Sequence, residues 1–326
     1  MEKELKWAVL GTGVIANEMA QALQKMGKKL YAVANRTYDK AVEFAEKYGA
    51  EKVYEKIDDM FTDKESDIIY ITTPHNTHIK FILEALKNGK HVLCEKSITL
   101  NSEELEEAVK IAKEKNLILG EAMTIFNMPL YTKLSDIVNS GKLGDVKMIQ
   151  VNFGSYKEYD MNNRFFNRNL AGGALLDIGV YAISITRLFM TSKPDNVLSQ
   201  VKYAPTGVDE QVGIIMMNKE QQMSTIALTL HSKQPKRVVI ACEKAYIEVL
   251  EYPRADKAKI VYTETGEIEE IEEGITANAL QYEMQNMEKS VKSGINQMKL
   301  EYTRDVMDIM TNLRKEWGMT YPEEEK

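Results

Sequence analysis

The stretch Gly11-Thr12-Gly13-Val14-Ile15-Ala16 is spelled G-x-G-x-x-A, and its positions have chemical uses. Gly11 permits a tight turn. Gly13 carries no side chain, so a pyrophosphate can approach its backbone. Ala16 is small enough for a following helix to pack close to the preceding strand. A helix opening at Val14 and Ile15 offers unpaired N–H groups and the positive end of its dipole to phosphate oxygens. These residues, Thr12 included, make a candidate dinucleotide site. In such sites the residue ending the second strand, ~20 positions on, reads the adenosine ribose. Asn35 stands there, followed by Arg36 and Thr37. No carboxylate is present to repel a 2′-phosphate, and Arg36 can pair with that phosphate and stack on adenine, so NADP is favoured over NAD. Lys96 follows the apolar run His91–Cys94, at the carboxyl end of a parallel strand, where open α/β sheets bind their ligands. Asp177 and Tyr181 are four apart, which places them on one face of a helix. Gly172-Gly173 just before would let that helix start close to a ligand.

These groups need a frame. Trp7–Leu10 is a short apolar run that suits a buried parallel strand. Ile15, Met19, Ala22, Leu23 and Met26 follow at helical spacing. The alternation continues with strands at Leu30–Ala34, Val53-Tyr54, Asp67–Thr72, His91–Cys94 and Leu117–Gly120. Helices are expected at Tyr38–Tyr48, Thr77–Lys87 and Ser102–Lys115, the last capped by Asn101 or Ser102. Strands alternating with helices predict a doubly wound parallel sheet, a Rossmann domain, over residues 1–121. The rhythm then changes. A helix at Pro129–Ser140 leads to a strand at Val146–Tyr156, a polar aromatic loop at Lys157–Leu170 and a long helix at Ala174–Met190. Strand-like runs follow at Val197–Tyr203, Gln211–Met217, Ser224–His231, Arg237–Leu250 and Lys259–Thr263. Short polar links such as 218–222 suggest hairpins. The acidic run 267–273 reads as a solvated edge. Helices at Ala279–Ser293 and Thr303–Trp317 end the chain. Residues 122–326 are thus expected to form an α+β domain with a large, mostly antiparallel sheet for substrate binding and oligomerisation, whose last helices pack back on the first domain.

Composition narrows the function. The chain has 326 residues, 44% hydrophobic and 28% charged, with a net charge of −7. That balance speaks against general affinity for nucleic acid or anionic membranes. No signal peptide or membrane-length apolar run is evident. Cys94 and Cys242 are the two cysteines, which suits a reducing cytoplasm and leaves no cysteine-based metal cluster. No metal site is expected. A G-x-S-x-G element is absent, as is a metal-binding pair of histidines four apart, so a hydrolase or metal enzyme has little support. The 18 methionines read as core fillers. His75, His91 and His231 read as structural.

Several motifs together resemble the glucose-fructose oxidoreductase/inositol dehydrogenase (Gfo/Idh/MocA) family. Glu95-Lys96 looks like its Glu-Lys-Pro motif. TPHNTH (73–78) resembles its Thr-Pro-Asn-x-x-His. AGGALLDIGVY (171–181) is similar to its Gly-Gly-x-x-x-Asp-x-Gly-x-His/Tyr. KLGDVKMIQVNFG (142–154) and the terminal WGMTYPEE fit as well, so the resemblance spans nearly the whole chain. RFFNRNLAGGALLDIGVY is most like the branch that holds dihydrodiol dehydrogenase and NADP-dependent xylose dehydrogenase. Two departures stand out. Ser97 replaces the motif's Pro, which predicts a less rigid backbone beside Lys96. Thr124-Ile125-Phe126-Asn127 lies where that branch usually carries a Trp and an Arg.

The resemblance implies hydride transfer between a nicotinamide and a sugar, polyol or diol carbon, which requires a proton on or off the oxygen. It implies that Lys96 bonds the reacting hydroxyl or relays its proton, helped by a pKa lowered beside a cationic ring. Glu95 would orient Lys96 or the nicotinamide ribose. Tyr181 would serve as general acid/base and Asp177 would bind substrate hydroxyls. Thr73, Pro74, Asn76 and His78 would border the nicotinamide, with Asn76 or Thr77 also capping the helix behind. Arg164, Asn167 and Arg168, on the polar loop, are candidates for holding a hydroxyl or carboxylate. A homodimer is expected through the second domain's sheet, whose apolar residues exceed what one layer of helices can cover. The rival reading is a dinucleotide-binding ligand sensor on the same scaffold, which would have no need of Lys96 and Tyr181 as proton donors.

Overall fold

The computed structural model describes residues 4–325. In chain order the first part is β1 (Trp7–Leu10), α1 (Val14–Lys25), β2 (Leu30–Ala34), α2 (Tyr38–Tyr48), β3 (Lys52–Tyr54), α3 (Ile57–Thr62), β4 (Ile68–Ile71), α4 (His78–Lys87), β5 (His91–Glu95), α5 (Ser102–Glu114) and β6 (Leu119–Ala122). Then come α6 (Thr124–Asn127), α7 (Pro129–Asn139), β7 (Val146–Gly154), α8 (Val180–Phe189), β8 (Asn196–Tyr203), β9 (Asp209–Met217), β10 (Met223–Thr229), β11 (Gln234–Cys242), β12 (Ala245–Leu250), β13 (Lys257–Tyr262), β14 (Ile268–Glu272), α9 (Ala279–Ser293) and α10 (Leu300–Glu316). The chain divides into two units. Residues 1–123 join 280–300 in one, and residues 124–279 join 301–326 in the other.

In the first unit six parallel strands lie in the order β3-β2-β1-β4-β5-β6. The order reverses between β1 and β4, the switch point where such sheets bind dinucleotides. β1, β2 and β4 are buried along their whole length, as strands covered on both faces must be. α9 belongs to this unit: Glu288 accepts from the Trp7 indole N–H at 3.0 Å and pairs with Lys28. Asn101 caps α5, its side chain accepting from the Glu104 N–H at 2.9 Å. β6 starts two residues later than the apolar run suggests. Asn116 takes a positive φ and Leu117 N–H closes the end of α5 onto Ala112 O at 2.8 Å, which uses up those residues.

The second unit holds an eight-stranded sheet, β14-β13-β12-β11-β7-β10-β9-β8. Its pairs are antiparallel except β7 with β10. The run Arg237–Leu250 is two strands, not one. Glu243 and Lys244 turn the chain, donating their N–H groups to Asp145 O and Leu143 O at 3.1 and 2.9 Å. The long helix also differs from expectation. Leu175–Gly179 is a π turn and α8 begins only at Val180. The segment Arg168–Phe189 is long and apolar enough to cross a membrane, but 83% of its apolar 18-residue stretch is buried inside the protein, where it packs on the sheet.

Candidate functional site

In the first unit the chain leaves β1 at Gly11 with φ +107°. The Gly11 N–H donates to Ala34 O at 2.8 Å, and a Cβ there would lie 2.5 Å from Thr72 Oγ1. Gly11 is thus wedged between the ends of β2 and β4, a place only glycine can fill. Nothing lies within 4 Å of where a Gly13 Cβ would be. α1 starts at Val14 with no side-chain cap, so its first N–H groups are left for a ligand. Thr12 is half-buried, Val14 exposed, Ile15 half-buried and Ala16 fully buried. Sequence reasoning missed Asn17. Its amide N–H donates to Gly13 O at 2.8 Å and Thr12 O at 3.2 Å, and its oxygen accepts from Tyr48 at 2.7 Å and Lys47 at 2.9 Å. Asn17 thereby holds the loop's carbonyls back toward the helix. At the end of β2, Asn35 donates to Thr37 O at 3.1 Å. Arg36 is exposed and makes no ion pair among the described residues. An open glycine, an uncapped helix and an available guanidinium fit a phosphorylated dinucleotide.

At the carboxyl ends of β4 and β5 two histidines do most of the positioning. His75 Nε2 lies 3.0 Å from Lys96 O. His78 is fully buried, with Nδ1 2.9 Å from Ser97 O and Nε2 2.7 Å from Thr73 O. Burial pushes the His78 pKa down. A neutral ring carries one N–H, so it donates to one carbonyl and packs its other nitrogen against the second. Tyr70 donates its hydroxyl to Glu95 Oε1. Glu121, buried within β6, accepts the Ile98 N–H at 3.1 Å. The Lys96–Ser97 peptide is cis. Ser97 is buried, and the backbone around Lys96 is hydrogen-bonded by His75, His78 and Glu121. Side chains from β6 and the β4–α4 turn provide the constraint. Thr77 donates its hydroxyl to Pro74 O at 2.7 Å and accepts from the Thr73 hydroxyl at 2.8 Å. It ties the turn from Thr73 through Asn76, and α4 has no side-chain cap. Lys96 and Glu95 are half-buried at the strand's end.

In the second unit Asp177 lies in the π turn and Tyr181 in the first turn of α8. Asp177 is buried and faces Arg164, whose guanidinium is 3.8 Å away. Arg164 also stacks on Phe165 at 4.2 Å. Tyr181 is half-buried, its ring against Phe153 at 6.1 Å between centroids. The glycines before the helix serve the protein's own packing. A Cβ on Gly172 would strike the carbonyls of Arg164 and Phe165 at 2.7 Å, and one on Gly173 would meet Asp209. Asn167 caps the short turn after it, accepting the Asn169 N–H at 2.9 Å. Arg168 donates to Thr320 O at 2.9 Å and pairs with Glu325, which commits it to the C-terminal segment. His231 packs against Tyr156 and Tyr159, and His91 Nδ1 accepts the Ile118 N–H at 2.9 Å; both are structural. Thr124–Asn127 forms the buried helical turn α6, with Phe126 against Tyr302. Among the described residues no group of His, Cys, Asp and Glu can hold a metal.

Two family models match the chain. Residues 5–123 match an oxidoreductase family with an NAD-binding Rossmann fold, and residues 131–248 match the GFO/IDH/MocA C-terminal domain. Similar curated proteins include trans-1,2-dihydrobenzene-1,2-diol dehydrogenase of Xenopus laevis, 28% identical over 97% of this chain and 99% of that protein. The Homo sapiens protein of the same name is 26% identical over 99% of each. Among solved structures, a 3-ketoreductase from Actinomadura kijaniata in complex with NADP matches with a TM-score of 0.84, at 20% identity over 95% of this chain and 96% of that one. Levoglucosan dehydrogenase, in complex with NADH and levoglucosan, matches with a TM-score of 0.83, at 17% identity over 95% and 98%.

Proposed function

The chain belongs to the Gfo/Idh/MocA family of oxidoreductases, and from that premise we propose an NADP-dependent dehydrogenase of a diol, polyol or sugar CH–OH group. One observation carries the reading: the uncapped start of α1 beside an open Gly13, with Arg36 exposed at the end of the next strand. Gly11, Thr12, Gly13, Val14 and Ile15 would hold the diphosphate. Arg36, with Asn35 and Thr37, would hold the 2′-phosphate, and Thr73, Pro74, Asn76 and Glu95 would border the nicotinamide side. When bound, the nicotinamide supplies the hydride acceptor for alcohol oxidation or the donor for carbonyl reduction. Lys96, fixed through its carbonyl by His75, bonds the substrate oxygen and relays its proton. Tyr181 serves as the acid/base, and Asp177 with Arg164 binds a neighbouring hydroxyl. His78 serves the site by holding the turn. The diol dehydrogenases named above support the substrate class.

We also propose a homodimer formed through the open face of the eight-stranded sheet. The strand register lines up Ile268, Val261, Tyr246, Ala241, Met148, Met223 and Met217 across seven neighbouring strands. Leu198, Ile215 and Leu250 are exposed beside them. A continuous apolar face of that kind marks an association surface.

The test is turnover of NADP+ against a panel of aldoses, polyols and diols, followed by Lys96→Met and Tyr181→Phe on the best substrate. A positioned acid/base is worth about 10²–10⁴ in rate. Each variant should lose kcat by roughly that factor while keeping the parent's Kd for NADPH. A Tyr181→Phe enzyme within about twofold of the parent would show that the ring only packs against Phe153.

A further inference from the structure

Asp209 begins β9 and is completely buried. Its Oδ2 accepts the Leu175 N–H at 2.6 Å. That N–H opens the π turn, which has no side-chain cap of its own. Gly173, at φ +125°, brings the chain so close that a Cβ there would lie 2.1 Å from Asp209 Oδ1. Tyr321, also buried, donates its hydroxyl to Gly172 O at 2.7 Å. The two glycines and the first turn carrying Asp177 are therefore gripped by side chains that arrive from β9 and from the C-terminal segment.

We infer that Asp209 is a positioning residue for Asp177 and Tyr181: its carboxylate caps their helix from outside and sets the direction in which both side chains leave it. The inference rests on the roles proposed above for those two residues. An anion is favoured at a helix N-terminus, where it meets unpaired N–H groups and the positive end of the dipole. The other ionisable groups facing Asp209 are the buried guanidinium of Arg314, on α10, and the Tyr321 hydroxyl; Arg314 is itself paired with Glu324. Burial pushes the Asp209 pKa up to about 7, against the pull of the Leu175 N–H and Arg314. Its charge, and so the strength of the cap, changes across neutral pH.

The neighbouring side chain reinforces the picture. Glu210, also buried, accepts from Tyr159 at 2.7 Å and from Lys202 at 2.7 Å. Consecutive residues of one strand thus fix the helix start and the loop that carries Arg164.

Three variants of the full-length, NADPH-loaded protein test the inference. Asp209→Ala removes the acceptor. A misplaced catalytic pair typically costs about 10–100-fold, so kcat/KM should fall by that much with the Kd for NADPH unchanged. Asp209→Asn keeps an oxygen for the Leu175 N–H and cannot ionise. It should recover kcat/KM to within about threefold and abolish the break near pH 7 that the parent's profile should show. Gly173→Ala, which pushes against Asp209, should behave like Asp209→Ala. Hydrogen exchange of the Leu175–Gly179 amides in Asp209→Ala should rise about tenfold or more. Unchanged exchange overturns the inference, whatever the kinetics. So does an Asp209→Ala enzyme with the parent's kcat/KM where Tyr181→Phe is inactive, and the assignment of Tyr181 would then stand alone. If Tyr181→Phe is fully active while exchange rises, the assignment of Tyr181 fails and the hold of Asp209 on the turn survives.

Discussion

At the scale of the residue, cofactor choice rests on one guanidinium. Arg36 is exposed at the end of β2, with no carboxylate beside it at Asn35. NADPH should therefore bind more tightly than NADH in a fluorescence titration, and Arg36→Ala should erase about 1–3 kcal/mol of that preference, the worth of a charged hydrogen bond. Equal affinities in the parent would remove Arg36 from the site. Asp209 has a stability consequence as well. Its carboxyl, ordinarily near 3.8, holds its proton up to about pH 7 in the folded protein. Between those values the native state binds more protons than the unfolded chain, so stability falls as pH rises through the window, and the full cost is present above it. Asp209→Asn should raise stability to urea at pH 8 by up to about 4 kcal/mol and change little at pH 4. A gain in stability joined to a lost pH response is not what a simple brace would give. The glycines and Arg36 were legible because residue type and spacing alone define them. Asn17 and Asp209 were not. Asn17 looks like any polar residue in a first turn, and Asp209 meets its helix from 34 residues away.

At the scale of the element, the turn after β5 lacks the motif's Pro but is bonded by side chains: His75 at Lys96 O, His78 at Ser97 O and Glu121 at the Ile98 N–H. His78→Phe keeps the bulk and removes the donor, leaving the carbonyl that accepted its N–H, of Thr73 or Ser97, facing an apolar ring. A buried polar group left unpaired costs about 1–3 kcal/mol. Urea unfolding should show that loss, and kcat should fall with the displacement of Lys96 while Arg36→Ala leaves kcat untouched. An unchanged urea midpoint would mean that the turn is held from elsewhere. The strands of the parallel sheet could be read from their apolar runs. The break at Glu243-Lys244 could not, because that turn lacks the Gly or Asn that usually marks a two-residue hairpin. The π turn also escaped notice, since Leu175–Gly179 carries an ordinary helical pattern.

At the scale of the whole molecule, the alternation of strands and helices was enough to foresee a doubly wound sheet followed by a mostly antiparallel one. The order within the second sheet was hidden. β7 sits between β10 and β11 and runs parallel to β10, a long-range pairing that no local pattern encodes. The apolar row across that sheet leads to a direct expectation. Sedimentation equilibrium at micromolar concentration should show a dimer of the 37.1 kDa chain. Replacing Leu198 and Ile215, both exposed on the same face, with Lys should shift the equilibrium to monomer with kcat retained. A monomeric parent would refute the dimer.

Three methionines in that row are direct neighbours, since Met148 pairs with Met223 and Met223 with Met217. Peroxide converts a thioether to a polar sulfoxide, so if this face joins two copies it would also record whether they are joined. Sulfoxide formation at Met148 and Met223 should be slow in concentrated protein and fast on dilution. Once formed, the added oxygens would keep the copies apart until a reductase removes them. Association through this sheet would then depend on the oxidant level around the protein as well as on its concentration.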